Sequence, residues 1–472
     1  MSGNAIIQYC KNLQYSCLAH MSDEGVEQKY VKEAFDTNWV VPMGPNVNAF
    51  EKDLEEFANT CSDSSKLDRK VVCLSAGTAA VHLALIGCGV KAGDEVLVQS
   101  FTFCASSHPI TYLGAKPVFI GSESETWNMD PELLEAAIID RKEKTGRYPK
   151  AIVPVALYGM PYKIDEIMAI ADKYGIPVVE DAAEGMGSRF NGQVLGTFGK
   201  YGVLSFNGNK MITTSGGGAL ICNKSDAKIS DEGFVISDEV SAAEAAQNIM
   251  WYATQARDAY PYYQHTAIGY NYRMSNVCAG IGRGQMTVVN DHIAHHKHVQ
   301  ALYEELLKDV KGVHMHCQPA DPRYDANFWL CAATIDPEVH VVGLENAYKE
   351  VITSAVGGAA GVIKAVESAT TDCQPNENVE ALRVFMLGKK VECRPLWKPM
   401  HCQPVYRNGA EVSKVSEVQG VQTVIEGPNM ACYTNGIEED LFKVGFCLPA
   451  GPYVSDDDVR YIVDCIKEAI AD

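Results

Sequence analysis

Positive charge is scarce in this chain of 472 residues: 40 Lys and Arg stand against 60 Asp and Glu, a formal net charge of −20. Such an acidic surface repels nucleic acid and anionic lipid at long range, which excludes partners of either kind for the surface as a whole. It leaves room for a local basic pocket. Long hydrophobic runs are missing as well. No stretch approaches the roughly 20 apolar residues of a membrane-spanning helix. The N-terminal MSGNAIIQYCKNLQYSC lacks the basic start and apolar core of a secretory signal. The 16 cysteines include no CxxC pair and no metal-ligand spacing, so neither a disulfide framework nor a metal is expected. Many lie in apolar runs such as Val71-Val72-Cys73-Leu74, where a free thiol packs as a small hydrophobe. Internal repeats, low-complexity tracts and the GxxxxGK[ST] phosphate loop are absent too. What remains is the expectation of a reduced, cytoplasmic, soluble enzyme or binding protein.

The residues that are present follow a repeating plan. Lys70–Leu74, Glu95–Val98, Pro117–Ile120, Ala151–Val155 and Pro177–Glu180 are short apolar runs with the length of strands. Between them lie AAVHLALIGCGV, DPELLEAAII and KIDEIMAIADKYG, which have helical spacing. Strands alternating with helices imply a mostly parallel sheet covered on both faces. Residues 25–59, 226–260 and 277–309 also read as helical, the last as one long helix. A change of domain is expected there, giving a large domain over 1–290 and a smaller α/β domain over 291–472. The latter has strands in FWLCAATI and KKVECRPL, a helix near 343–366, an irregular stretch at 405–440 and a terminal helix from Asp456.

One lysine stands out by its surroundings. Lys210 lies in LSFNGNKMITTSGGGAL, with hydroxyls at Ser205, Thr213 and Thr214 and three glycines at 216–218 that let the backbone approach a ligand. Alone, Lys210 reads as a solvated loop residue. In a desolvated pocket a lysine gives up its proton more easily and can bond to a carbonyl carbon, which is the chemistry of pyridoxal 5′-phosphate (PLP). That cofactor makes further demands. A carboxylate must face its pyridine nitrogen; Asp181, at the carboxyl end of the strand PVVE, is placed for this, or else it caps a loop. The phosphate needs a helix N-terminus, and Ser75-Ala76-Gly77-Thr78 sits at a strand-to-helix turn, where a plain N-cap is the equal alternative. Phe101 or Phe103 could cover the ring, and Glu184 could approach its phenolic oxygen. Glu180 alternates with Asp181 and points away. His295, His296 and His298 fit a solvated helix face better than a metal, and His314 and His316 read as surface.

Taken together, these motifs resemble the DegT/DnrJ/EryC1/StrS sugar aminotransferases. LSAGTAAVHLAL, SFTFCASSHPITYLGAKPVF, VVEDAAEGMGS, LSFNGNKMITTSGGGAL and Gly269-Tyr270-Asn271-Tyr272-Arg273-Met274-Ser275 occur in the family's order over residues 25–300. The likeness resumes at CRPLWKPMHCQP and GFCLPAG, and is nearest in wording to C4 aminotransferases of the bacillosamine type. The resemblance implies a PLP-dependent transferase of fold type I, with Lys210 bonded to the cofactor and Asp181 on its nitrogen. Gly77, Thr78 and Ser205 would hold the phosphate, Phe103 would stack on the ring and Glu184 would lie near the phenolic oxygen. It also implies a homodimer with shared active sites, in which Asn271 of one chain reaches the phosphate in the other and Arg273 sits close by. Trp397, Lys398 and His401 would line the side that takes the nucleotide-sugar, a UDP-linked 4-keto-6-deoxy-N-acetylhexosamine, with glutamate as amino donor. An aminotransferase or lyase of amino acids, or a regulator without activity, are the competing readings; the intact Lys210, Asp181 and Ser205 disfavour the last. The chain is longer than usual for the family, with extra segments near 222–250, 334–380 and 405–440.

Overall fold

The apolar runs become strands whose alternate residues feed two different cores. In the computed structural model, which describes residues 19–60, 68–224, 228–229, 235–237, 239–348, 373–413 and 418–470, the strands are β1 (Arg69–Leu74), β2 (Glu95–Gln99), β3 (Lys116–Ile120), β4 (Ile152–Val153), β5 (Val179–Asp181), β6 (Tyr201–Ser205) and β7 (Gly218–Asn223). Parallel pairing runs β3-β2-β4, isolated bridges Ile152–Val178 and Val155–Asp181 carry it to β5, and β5 pairs with β6. Only β7 runs against its neighbours β6 and β1. Val71 and Cys73 face one layer and Val72 and Leu74 the other; Leu97 is likewise set against Val96 and Val98. A period of two with both faces apolar is what a sheet covered on both sides requires. The expected mostly parallel α/β architecture is therefore the one observed.

Helices cover this sheet and frame its carboxyl edge. They are α1 (Val26–Asp36), α2 (Pro45–Ala58), α3 (Gly77–Gly87), α4 (Pro131–Thr145), α5 (Ile164–Tyr174), α6 (Ala242–Ala253), α7 (Asn276–Met286) and α8 (Val289–Leu307). The stretch expected as one helix over 277–309 is thus two, parted at Thr287-Val288, with Ser275 accepting from the Cys278 N–H at 3.1 Å to start the first. The remaining chain adds α9 (Glu377–Gly388), α10 (Ile437–Val444) and α11 (Asp456–Ile470), the last starting at the expected Asp456.

The C-terminal region does two jobs. Strands β8 (Val313–Met315), β9 (Cys331–Ile335), β10 (Arg394–Pro395) and β14 (Gly445–Leu448) form an antiparallel sheet in the order β8-β9-β14-β10. Helices α8, α9 and α11 pack on it through Tyr303, Leu382 and Ile462. Between them, β11 (Glu411–Ser413), β12 (Thr423–Glu426) and β13 (Ala431–Thr434) leave this sheet. β13 pairs in parallel with β3 and extends the large sheet by three strands. The stretch read as irregular at 405–440 therefore contributes to the large sheet, although it belongs to the 291–472 region. The helix expected near 343–366 falls largely on residues 349–372, outside the described residues.

Two histidines read as solvated are buried. His296 points from α8 into the protein and donates to the Phe328 carbonyl at 3.1 Å; burial pushes its pKa down to about 3. His316 stacks on Trp127 with centroids 3.7 Å apart, and burial lowers it to a similar value. Both helix α8 and the segment after β8 are packed on two sides, which the polar composition of these stretches concealed. His298 and His314 are exposed as expected and face Asp456 and Asp336. The described cysteines are all free thiols.

Candidate active site

The carboxyl ends of the strands converge on one cavity of about 320 Å³. Asp181 ends β5 and Ser205 ends β6, so both side chains arrive where α/β sheets bind ligands. Gly77 opens α3 directly after β1, presenting the free N–H groups of a helix N-terminus to the cavity. The backbones are pressed together here. A Cβ on Gly218 would lie 2.4 Å from the Gly77 nitrogen, and one on Gly77 would lie 3.0 Å from the Ser205 Cβ. Glycine at these positions is what lets β7, the α3 N-terminus and the end of β6 form one floor.

Lys210 enters the cavity from the loop after β6, its side chain 12% exposed. Its Nζ lies 3.3 Å from Glu184 Oε1 and 3.9 Å from the centre of the Trp329 ring. Trp329 is held by donating its Nε1–H to the Asn209 carbonyl at 2.6 Å. Asp181 is 4% exposed; Oδ2 accepts from the Ser106 hydroxyl at 2.6 Å and Oδ1 from the Ala183 N–H at 3.1 Å. Ser106 is in turn 2.8 Å from Thr102 Oγ1. Burial pushes the Asp181 carboxyl above the usual range, and the Ser106 and Ala183 bonds and the Lys210 charge offset only part of that. Burial raises Glu184 in the same way, against the pull of Lys210 and the Tyr158 N–H, which donates to Oε2 at 2.8 Å. Tyr158 makes this contact from a left-handed backbone (φ 54°), a strained conformation fixed by the surrounding packing. Glu180, the neighbour that alternates with Asp181, turns away and accepts from the N–H groups of Gly196, Phe198 and Gly199.

Of the residues singled out in the sequence, the cavity gathers Gly77, Thr78, Phe103, Asp181, Glu184, Ser205, Lys210 and Trp397. Phe103 is half exposed at its mouth, its ring 5.4 Å from that of Trp397, while Phe101 is core. The indole N–H of Trp397 is buried and meets no acceptor among the described residues. Lys398 is outside this cavity but lines an adjoining hollow of about 330 Å³ that shares Thr102, Phe103 and Trp397 with it. Cys104 also faces that hollow. His401 does not line either. It is fully buried, 2.6 Å from Ser100 Oγ through Nδ1 and 2.8 Å from Glu439 Oε1 through Nε2, and does not reach the cavity. Thr213 and Thr214 bond within their own loop instead of entering the cavity. Asn271 is exposed and lies outside this chain's cavity, while Arg273 is tied to Glu51 at 2.7 Å and to the Cys73 carbonyl. Ser106, Tyr158 and Trp329 escaped the sequence reading. Ser106 had a signal, since it lies in the run SFTFCASSHP; Trp329 was absorbed into a strand.

These residues fit PLP on their own chemistry. A buried carboxylate with no ion-pair partner among the described residues suits a protonated ring nitrogen, a helix N-terminus with Ser205 and Thr78 suits a phosphate, and a buried lysine suits an aldehyde carbon.

Comparison with known proteins agrees. The DegT/DnrJ/EryC1/StrS aminotransferase family model matches residues 22–354. EpsN of Bacillus subtilis strain 168, described as a pyridoxal phosphate-dependent aminotransferase, is 36% identical over 450 residues, 95% of this chain and 93% of that protein. The GDP-perosamine synthase of Escherichia coli O157:H7 is 28% identical over 465 residues, 98% of this chain and 100% of that one. Among solved structures, Spr1654 of Streptococcus pneumoniae, described as a sugar aminotransferase in its PMP form, superposes with a TM-score of 0.72 at 19% identity, over 96% of this chain and 98% of that one. At that identity the likeness concerns the fold.

Proposed function

This chain belongs to the DegT/DnrJ/EryC1/StrS aminotransferase family, and we propose that it carries an amino group from glutamate to the C4 keto group of a nucleotide-linked 4-keto-6-deoxy sugar. The favoured sugar is a UDP-4-keto-6-deoxy-N-acetylhexosamine destined for a surface glycan. The observation that carries the chemistry is the meeting of Lys210, Asp181 and the α3 N-terminus in one cavity. The orphaned indole N–H of Trp397 supports a polar second substrate, since a buried donor is expensive until an acceptor arrives.

PLP is the cofactor of this aminotransferase family; when bound, it supplies an aldehyde carbon that takes up and releases the amino group, and a ring that accepts electrons from the neighbouring carbon. The chain's residues do the rest. Lys210 Nζ would hold that carbon between turnovers. Once freed, it takes the proton from the α-carbon of glutamate and later returns one to C4 of the sugar. Glu184, 3.3 Å away, accepts a hydrogen bond from Lys210 and holds it in place. Asp181 stabilises positive charge on the ring nitrogen, and Ser106 and Ala183 fix the carboxylate that does so. Gly77, Thr78 and Ser205 anchor the phosphate, and Phe103 covers the ring. Two half-reactions on one site predict ping-pong kinetics.

The enzyme is proposed to work as a homodimer. Asn271 is exposed, and so is a run of apolar residues, Trp39, Val40, Val41 and Met43. Asn276 ties this run to the Asn271 segment, bonding the Trp39 and Val41 carbonyls. Exposed apolar surface of that kind marks an interface, and Asn271 would cross it to the partner's phosphate site. Among the described residues no helix is long and apolar enough to cross a membrane.

The decisive measurement supplies the purified protein with glutamate and either UDP-4-keto-6-deoxy-N-acetylglucosamine or simple keto acids. A 4-amino sugar identified by NMR is the expected product. Turnover of the keto acids alone overturns the sugar assignment.

A further inference from the structure

His401 is buried beside groups that the reaction does not use. A ring nitrogen of His401, the Cys402 thiol and a Glu439 carboxylate oxygen all lie within 4.8 Å of one another. A second thiol stands nearby: that of Cys373 is close enough to interact with that of Cys402. From this juxtaposition of two thiols, an imidazole and a carboxylate we propose a structural binding site for a thiophilic divalent cation of the zinc class, formed by Cys373, His401, Cys402 and Glu439.

The donor set is chemically suitable. Two Cys, one His and one carboxylate are ligands that zinc takes in tetrahedral sites, at about 2.0–2.3 Å each, which puts neighbouring ligand atoms roughly 3.4–3.8 Å apart. The 4.8 Å spread among His401, Cys402 and Glu439 closes onto such an ion with small side-chain movements, and Cys373 approaches it from beside Cys402. His401 is also prepared as a metal ligand usually is. Its Nδ1 is engaged by Ser100 Oγ at 2.6 Å, which orients the ring and directs Nε2 toward Glu439. Nε2 and Glu439 Oε1, 2.8 Å apart, share a proton there. The cation takes the place of that proton and of the two thiol protons, so binding releases protons to solvent.

Spacing along the chain gave no hint of the site because its donors come from three separate segments. Cys373 precedes α9, His401 and Cys402 form the turn after Trp397, and Glu439 stands on α10. The consequence lies in that arrangement. An ion held by all three ties the turn carrying Trp397 and Lys398 to α10 and to the segment leading into α9, and so stiffens the wall of the proposed sugar side. The ion itself lies outside the cavity and takes no part in amino transfer.

The test uses the full-length holoenzyme, stripped with a chelator under a phosphine reductant and then titrated with zinc against a competing dye. One zinc per chain is expected to bind. Cobalt in its place is expected to give the near-ultraviolet charge-transfer band of thiolate ligation. Cys402→Ser and Glu439→Gln keep the size of each side chain and are expected to weaken binding by at least roughly 100-fold. Ser100→Ala, which only frees the ring, is expected to cost about 10–100-fold. Cys317→Ser, at an exposed thiol far along the chain, is the control and keeps full affinity. Absence of stoichiometric zinc, or the same stoichiometry and cobalt spectrum in Cys402→Ser and Glu439→Gln as in the parent, overturns the site. Circular dichroism of each variant separates a lost ligand from a lost fold.

Discussion

The two walls of the cavity are built in different ways. One is made of strand ends and the α3 N-terminus: Gly77, Asp181, Glu184, Ser205 and Lys210. Each arrives within a few residues of the element that positions it. The other is made of the extended segment from Arg394 to Gln403. That segment is held by β10 pairing with β14, by the Met400 N–H donating to the Ser100 carbonyl at 2.8 Å, and by the Trp397 N–H donating to the Tyr158 hydroxyl at 2.8 Å. Two of these partners, Ser100 and Tyr158, lie more than 200 residues away. The first wall is dictated by local rules, the second by tertiary pairing. The first should carry the chemistry and the second the selectivity, and single substitutions can break that division.

The sharpest break is at Lys210. Lys210→Ala removes the group proposed both to hold the cofactor and to move the proton. Turnover is expected to fall by roughly 10³–10⁴-fold or more, with loss of the visible absorption of the bound cofactor. A variant that keeps turnover would remove the chemistry from the first wall altogether.

Asp181→Asn comes next. It keeps the shape, but its single amide oxygen can accept from only one of Ser106 and Ala183, and it lacks the charge proposed to face the ring nitrogen. Removing one preorganised charge of this kind is expected to cost on the order of 10²–10³-fold in kcat. Stability should move the other way in the cofactor-free protein. The folded Asp181 carboxyl is raised by burial, so the folded state binds its proton more tightly than the unfolded chain does. Its contribution to stability is best on the acid side of the normal carboxylate range and is lost as pH rises through the window up to the raised value. Asp181→Asn should therefore be the more stable form at neutral pH when the cofactor is absent, and thermal melts across pH should show that advantage vanish in acid. A gap that stays constant with pH would mean the carboxyl is not held in its neutral form by burial.

This contrast also explains what could be read from the sequence. The β-α alternation, Asp181, Lys210 and the glycines at 77 and 218 were legible because strand ends, helix N-termini and close backbone approach leave local signatures. In the second wall the motif CRPLWKPMHCQP identified the right segment but not its orientation. Trp397 faces the cavity, Lys398 the next hollow, and His401 turns inward to Ser100 and Glu439. Which way each residue points depends on Ser100 and α10, 301 and 38 residues away from His401 in the chain. The same holds for β11–β13. Nothing in residues 405–440 announces that β13 pairs with β3, because the pairing partner lies in a different part of the sequence. His296 and His316 turn inward for a related reason: what meets each of them, Phe328 and Trp127, lies elsewhere in the sequence.

Trp397→Phe tests the selectivity assigned to the second wall. It keeps an aromatic ring beside Phe103 and Tyr158 but deletes the indole donor that meets no acceptor among the described residues. One hydrogen bond to substrate corresponds to about 1–1.5 kcal/mol, or roughly a tenfold rise in KM for the nucleotide-sugar. The half-reaction with glutamate should be unchanged. If both half-reactions slow equally, Trp397 belongs with the chemistry and the two walls are not separable.

The smallest effect is expected at the far edge of the large sheet, where the β12 residue Glu426 meets α4. Arg141 is buried and makes a two-pronged contact with Glu95, at 2.9 and 2.6 Å, and a third contact with Glu426 at 2.7 Å. Glu426 is 43% exposed, and Lys144 is its only other close cation among the described residues, at 3.5 Å. In Glu426→Gln the guanidinium keeps its Glu95 fork, and the charged partner that is lost was already partly in water. The expected loss is about 1 kcal/mol or less in a denaturant titration, with kcat and KM unaltered. The strands β11–β13 would then be an addition that the active site does not feel. A loss of roughly 3–5 kcal/mol, the scale of breaking a buried pair, would have a different meaning. Glu426, Arg141 and Glu95 would form one desolvated network joining the added strands to β2. Because β2 leads directly into Ser100, Thr102 and Phe103, the far edge would then be coupled to the second wall.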